Sequence, residues 1–268
     1  MPDVPAPPSS ARAVVIGGGV GGASILYHLA ALGWTDAILV EQHGLTEGTT
    51  WHSAGFVGQL RSTISQTRMI MYSSELYAEL ERETGRDPGW RAVGGLRVAT
   101  TPERVEELRR AESAALTYGL ALDVIGLNEV AEMLPLLRTD DLLAAAWLPG
   151  DGYLDPEALV GTLVSGATAR GARVYEHTRV TGITTDGGRV TGVETDRGTI
   201  ATDVVVNAAG CAAGHIAALA GAVVPVVPMR HQYVVTVPLD PPVGEIPTVR
   251  DPDHIVYVRP EQGALLVG

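Results

Sequence analysis

Near its start the chain passes from a short apolar stretch, residues 13–16, into Gly17-x-Gly19-x-x-Gly22. A helix-spaced segment (20–32), a second apolar stretch (37–40) and Glu41 follow. This order predicts one βαβ unit of about 30 residues. The three glycines act differently. Gly17 permits the tight turn, Gly19 lets backbone approach a pyrophosphate, and Gly22 lets helix lie close to strand. A helix N-terminus placed there attracts phosphate through its unsatisfied N–H groups and its dipole. Glu41, at the end of the second strand, can accept hydrogen bonds from a ribose diol and would repel a 2′-phosphate. The expectation is a dinucleotide site on a Rossmann-like α/β fold. The spacing does not separate FAD from NAD.

Further along, residues 60–84 read as a long helix ended by Gly85 to Gly89. A strand is expected at 95–99, then a helix opened by Thr101-Pro102-Glu103 and stopped by Gly119. A short helix (128–134), a strand (142–148) and the turn-rich Pro149-Gly150-Asp151-Gly152 come next. Asp155-Pro156-Glu157 opens another helix, which leads to a strand at 173–176. Segments 180–183, 189–195 and 199–201 alternate around Asp186-Gly187-Gly188 and Asp196-Arg197-Gly198, predicting a small antiparallel meander. A buried strand at 204–210 and a helix at 212–220 follow. Strands are then expected at 232–237 and 254–258, separated by a Pro-rich connection. The last residues, Ala264 to Gly268, carry an apolar strand signal with nothing after it, so the fold is expected to be incomplete at the C-terminus.

Composition narrows the partners. The net charge of −12 disfavours nucleic acid and anionic membrane. No apolar run approaches the roughly 18 residues of a membrane span. The single cysteine, Cys211, excludes an internal disulfide and a cysteine-based metal cluster, and a reducing cytoplasm is the expected compartment. His28, His43, His177 and His215 lack metal-ligand spacing, so no metal is expected. Residues 1–11 are Pro-rich at the start and are expected to form a disordered tail.

Small and hydroxyl residues in 45–55 can bond a second phosphate or a ribityl chain, and Trp51-His52 is unusual among them. Gly17 to Gly22 with Glu41, then Gly48-Thr49-Thr50-Trp51-His52-Ser53-Ala54-Gly55, resemble the sarcosine and dimethylglycine dehydrogenases of the glycine-oxidase-like FAD enzymes. The resemblance extends through Pro149 to Pro156, Val206 to Gly210, His231 to Thr236 and Val249 to Asp251. It implies a Rossmann-like FAD-binding domain (12–90 and 152–222) interleaved with a partial antiparallel-sheet α+β substrate domain (91–151 and 223–268), as in D-amino-acid oxidase. It implies FAD held by Gly17, Gly19, Gly22, Glu41, Thr49, Thr50, His52, Ser53, Gly55, Val180, Ala209 and Gly210. His52 would be joined covalently to the flavin 8α-methyl, raising its potential. His231 and Tyr257 would line the substrate side.

The reaction so implied removes hydride from the N-methyl carbon of sarcosine, dimethylglycine or a similar small amine, to flavin N5. The amine must first lose its proton, and a histidine with a pKa of about 6.5 can assist. The acceptor would be oxygen or a carrier flavoprotein, and relatives often add a folate-binding module. Arg250 and Arg259 are the local candidates for a substrate carboxylate. Two other readings stand beside this one. One is a non-catalytic relative resembling the pyruvate dehydrogenase phosphatase regulatory subunit; the other is a nicotinamide-dependent dehydrogenase.

Overall fold

The computed structural model describes residues 5–268. In chain order, β1 (Ala13–Ile16), α1 (Val20–Ala31) and β2 (Ala37–Val40) form the expected βαβ unit. The strands are buried along their whole length, which is why they read as unbroken apolar runs. Then come β3 (Phe56–Val57), α2 (Ile64–Thr84), β4 (Gly95–Ala99), α3 (Pro102–Tyr118), β5 (Asp123–Ile125), α4 (Leu127–Met133) and β6 (Ala144–Leu148). β7 (Gly152–Tyr153), α5 (Pro156–Ala169), β8 (Arg173–Tyr175), β9 (Val180–Asp186), β10 (Arg189–Thr195), β11 (Gly198–Ala201), β12 (Val205–Asn207) and α6 (Ala213–Leu219) follow. β13 (Val234–Val235), β14 (Thr248–Asp251), β15 (Val256–Glu261) and β16 (Ala264–Val267) close the chain.

The chain divides into two compact units. The first holds residues up to Ser53, Leu80–Gly89 and Pro156–Arg230. Its parallel sheet runs β12-β1-β2-β8. The crossovers leave β1 toward β2 on one side, while β12 lies on the other, so the β1/β12 boundary is a topological switch point, where such folds bind ligands. α1 buries Ala23, Leu26, Tyr27 and Ala30, and α5 buries Leu159, Val160 and Leu163. The two helices pack together closely: a Cβ on Gly166 would come within 2.8 Å of the Tyr27 ring. The meander β9-β10-β11 shares an apolar cluster with the sheet, through Val14, Ile38, Val180, Val193 and Ile200. Its first turn, Gly187-Gly188, has positive φ at both residues, as a two-residue hairpin demands.

The second unit holds Ala54–Glu79, Trp90–Asp155 and His231–Gly268. Its seven-stranded sheet runs β13-β16-β15-β14-β4-β6-β5 and is antiparallel except between β4 and β14. Leu96, Val98, Ala145 and Val249 point to one face, where Val130 and Leu134 cover them. Ala99, Ala146 and Leu148 point to the other, against Leu108 and Ala115 of α3. α3 is bounded as its sequence dictates. Thr101 Oγ1 accepts from Arg104 N at 3.2 Å, Pro102 opens the first turn, and Gly119 ends it at φ +77°. Replacing Thr101 by Ala is expected to lower stability by about 1 kcal/mol; an unshifted urea midpoint would refute that cap.

Several expectations change. The part of the expected disordered tail at residues 1–4 lies outside the described residues. Ala11 instead is buried, and its segment pairs with Ala201, Ala201 N–H donating to Ser9 O and Ala11 N–H to Ala201 O. Residues 54–79, placed with the first domain from sequence, fall in the second unit, because β3 pairs with β7 and Met71 packs on the α3 cluster. α2 begins at Ile64, not at residue 60, since Thr63 Oγ1 accepts from Gln66 N and starts the helix there. The Pro-rich connection contains β14, and the strand expected at 232–237 contracts to Val234–Val235.

Candidate functional site

The first unit contains a cavity of about 440 Å³ at the carboxyl ends of β1, β2 and β12. Gly17, Gly18, Gly19 and Gly21 form its floor, with Glu41, Thr49, Thr50, Val180, Ala209 and Gly210 around it. Gly17 adopts φ +117°, and a Cβ there would lie 2.4 Å from the Ala208 carbonyl oxygen. A Cβ on Gly22 would lie 1.9 Å from the Gly17 carbonyl oxygen, so this glycine sets the helix-to-strand distance beneath the cavity. A Cβ on Gly19 would meet Thr50 Oγ1 at 2.9 Å, and that hydroxyl accepts from Val20 N at 3.0 Å. Gly19 offers α1 no side-chain cap, and the first turn holds no acidic residue. The positive end of the dipole is therefore left to an anion in the cavity.

Glu41 has both oxygens engaged: Oε2 accepts from Gly18 N at 2.7 Å and Oε1 from His43 N at 2.9 Å. These bonds fix the carboxylate at the cavity wall and leave each oxygen further lone pairs for a diol. On the β12 side, Asn207 Nδ2 donates to Ala213 O and its Oδ1 accepts from Ala209 N, tying the turn that carries Ala209 and Gly210.

Of the twelve residues expected around a dinucleotide, eight line this cavity and Gly22 supports it from below. His52 and Ser53 lie outside the lining. His52 is exposed, its ring 3.7 Å from that of Trp51 between centroids, with Nδ1 3.2 Å from Gly48 O. In the tautomer that donates Nδ1–H to that carbonyl, the lone pair sits on Nε2. Gly55 belongs to the second unit, where φ is +65° and a Cβ would lie 2.0 Å from Leu154 O. Sequence reasoning passed over Gly18, His43, Arg179 and His215, which also line the cavity. Gly18 and His43 lie just past β1 and β2, Arg179 just before β9, and His215 in the first turn of α6.

In the second unit, His231 is exposed and its ring lies parallel to that of Tyr257, with centroids 6.3 Å apart and 16° between planes. Burial, then Tyr233, pushes the Tyr257 hydroxyl above its ordinary pKa, so it stays protonated and can donate. Arg259, a carboxylate candidate from sequence, is 6% exposed and already engaged. It donates to Ala54 O and Pro260 O and pairs with Glu261. No group of histidine, cysteine and acidic residues able to hold a metal occurs among the described residues, and no described helix is long and apolar enough to cross a membrane.

Against known proteins, residues 12–268 match the family described as FAD dependent oxidoreductase. Human mitochondrial sarcosine dehydrogenase is 43% identical over 267 residues, which cover 97% of this chain and 29% of that protein. Rat mitochondrial dimethylglycine dehydrogenase is 36% identical over 271 residues, covering 98% of this chain and 32% of that protein. The chain thus spans less than a third of the length of these curated relatives. Among solved structures, L-proline dehydrogenase from P. horikoshii superposes with a TM-score of 0.89 at 28% identity, over 98% of this chain and 70% of that one.

Proposed function

Because the chain belongs to the FAD dependent oxidoreductase family, we propose that it carries the FAD-binding part of an amine dehydrogenase or oxidase acting on a small N-methylated amino acid, sarcosine or dimethylglycine. The observation that carries this reading is the glycine-floored cavity at the start of α1, where Gly19 offers no capping side chain, in a chain similar to two dehydrogenases of such amines. The residues present fit the cofactor. Gly17, Gly19 and Gly22 bring backbone where side chains would intrude, the α1 N-terminus suits a pyrophosphate, and Glu41 suits a ribose diol.

When bound, FAD supplies the two-electron acceptor for the N-methyl carbon–hydrogen bond. The chain's own residues prepare the amine: His231 accepts the ammonium proton and Tyr257 donates a hydrogen bond that orients the substrate. His52 would hold the cofactor covalently through Nε2, the nitrogen left with the lone pair when Nδ1–H serves Gly48 O. The bond would replace an 8α-methyl C–H, the hydrogens leaving as protons and the electron pair passing through the flavin to the enzyme's electron acceptor. The electron acceptor is oxygen or a carrier flavoprotein, and a folate-binding module in the whole protein would take up the one-carbon product. On its cysteine usage, the protein works in a reducing compartment such as the cytoplasm.

Acid denaturation of the full-length protein tests this directly. Yellow, fluorescent flavin is expected in the pellet, and the His52→Ala variant should release it to the supernatant. Pelleted flavin in His52→Ala would refute the tether, and flavin in the wild-type supernatant would leave a non-covalent enzyme. Absence of flavin from both fractions would favour the non-catalytic reading instead.

A further inference from the structure

Trp51 is 51% exposed, in a turn (46–53) whose other residues are all small or polar. A tryptophan so placed buries too little surface to serve as a core residue. Its ring lies instead against the imidazole of the next residue, His52, with centroids 3.7 Å apart and 33° between planes. Consecutive side chains point to opposite faces of a strand and about 100° apart around a helix. Neither regular structure makes such a pair; this turn does.

The turn is held to the glycine motif at two points. Thr46 N–H donates to Gly18 O at 3.1 Å, and Val20 N–H to Thr50 Oγ1 at 3.0 Å. Thr46 Oγ1 donates to Glu157 Oε1 at 3.3 Å, and Trp51 N–H returns to Thr46 O at 3.4 Å. Thr46 is buried at φ +70°, a left-handed conformation that a β-branched residue adopts only when its surroundings impose it. These bonds supply that constraint. Gly48, between the two anchors, lines the dinucleotide cavity, and its carbonyl oxygen lies 3.2 Å from His52 Nδ1. The imidazole is thus held by one edge on Gly48 and by one face on Trp51. Neither Trp51 nor His52 lines the cavity itself.

We infer that Trp51 is a positioning residue for the flavin tether: its ring keeps the imidazole on Gly48 O, so that Nδ1 carries the proton and Nε2 presents the lone pair. The inference rests on the covalent reading of His52. In the tethering step the Nε2–C8α bond forms and an 8α-methyl C–H breaks. That hydrogen and the one on Nδ1 leave as protons. The electron pair reduces the flavin ring and passes from there to molecular oxygen, giving hydrogen peroxide. Trp51 takes up neither protons nor electrons. It removes the rotamers in which Nε2 is turned away, and orientation of this kind sets the rate of reaction between groups already held together. A ring pair shifts such a rotamer balance by about tenfold.

The test uses full-length protein made flavin-free under riboflavin starvation and then mixed with FAD in air. Samples precipitated with acid over time are read for flavin fluorescence on denaturing gels. Trp51→Ala is expected to slow attachment by about tenfold, and Trp51→Leu, which keeps apolar bulk without a ring, to do the same. Trp51→Phe should stay within about threefold of wild type. FAD affinity is titrated where no tether can form, comparing His52→Ala with the double variant Trp51→Ala/His52→Ala, and should agree within about twofold. Attachment at the wild-type rate in Trp51→Ala or Trp51→Leu would overturn the role of Trp51 and leave the tether standing. So would a loss of FAD affinity in proportion to the loss of rate, because the ring would then serve binding alone. If Trp51→Ala does not fold, Trp51→Leu decides; failure of both to fold would make Trp51 a structural residue and overturn the inference equally. Absence of flavin from the wild-type precipitate would overturn the covalent reading itself, and the role of Trp51 with it.

Discussion

Gly22→Ala is expected to abolish flavin retention and to destabilise the first unit by about 3 kcal/mol or more, at or above the upper end of ordinary overpacking costs. The added Cβ would sit 1.9 Å from the Gly17 carbonyl oxygen and 3.5 Å from Ala208 Cβ. Neither neighbour can turn aside. The carbonyl is backbone, and its residue sits at φ +117° so close to Ala208 that a Cβ there would lie 2.4 Å from the Ala208 carbonyl oxygen. α1 must instead lift from β1 and β12, which opens the floor of the cavity and pulls the helix N-terminus from the phosphate position. Gly21→Ala is the matched control. It lies one residue earlier on the same turn, a Cβ there meets nothing within 4 Å, and alanine is the better helix former by roughly 1 kcal/mol. Urea unfolding of flavin-free protein should therefore rank Gly21→Ala at or above wild type and Gly22→Ala well below it. Equal midpoints for Gly22→Ala and wild type would remove the packing argument.

The glycine motif illustrates which parts of this molecule were legible in sequence. Its consequences are local: a turn, a helix start and a close approach within a few residues, each fixed by backbone chemistry that spacing alone reveals. The parallel strands were legible for a similar reason, since burial on both faces leaves unbroken apolar runs. Trp51-His52 is different. No periodicity or turn rule gives an exposed loop histidine a function, and only its resemblance to flavin enzymes marked it out. Proline content misleads in the tail, because nothing near Ser9 announces that Ala201, far along the chain, will supply its hydrogen-bond partner.

That Arg97 and Arg250 face each other across β4 and β14 could not be read in advance. Arg97 and Arg250 come together through a parallel pairing of β4 with β14, and β14 lies in a stretch that reads as a Pro-rich connection. Register across such a separation is decided by packing of the whole sheet, chiefly the apolar side formed by Leu96, Val98 and Val249. Arg259 was equally opaque. An arginine in a strand ordinarily reads as a solvated charge, yet this one is 6% exposed and spends its donors on backbone carbonyls. Long-range pairing, not composition, decides how each of these arginines is placed.

Asp151 follows the same logic, and its replacement has the other large expected effect. In sequence it belongs to Pro149-Gly150-Asp151-Gly152, a solvent turn by its residues; in the structure it is 6% exposed. Burial raises its pKa from 3.8 to about 6, outweighing the Gln59 N–H bond and the attraction of Arg61, Arg97 and Arg250. The sign follows from proton linkage. A carboxyl whose folded pKa lies above its unfolded value binds its proton more tightly when folded, so its ionisation disfavours the fold. The penalty is absent below about pH 4, grows through the window up to about pH 6, and is complete above it. A shift of this size corresponds to about 3 kcal/mol. Asp151→Asn keeps an Oδ1 acceptor for Gln59 N–H and never ionises. It should match wild type near pH 4 and be more stable by about 3 kcal/mol at about pH 7.5. Denaturation midpoints of both proteins across that range check the claim. A stability difference that does not widen as pH rises would show that the arginines, and not burial, govern this carboxylate.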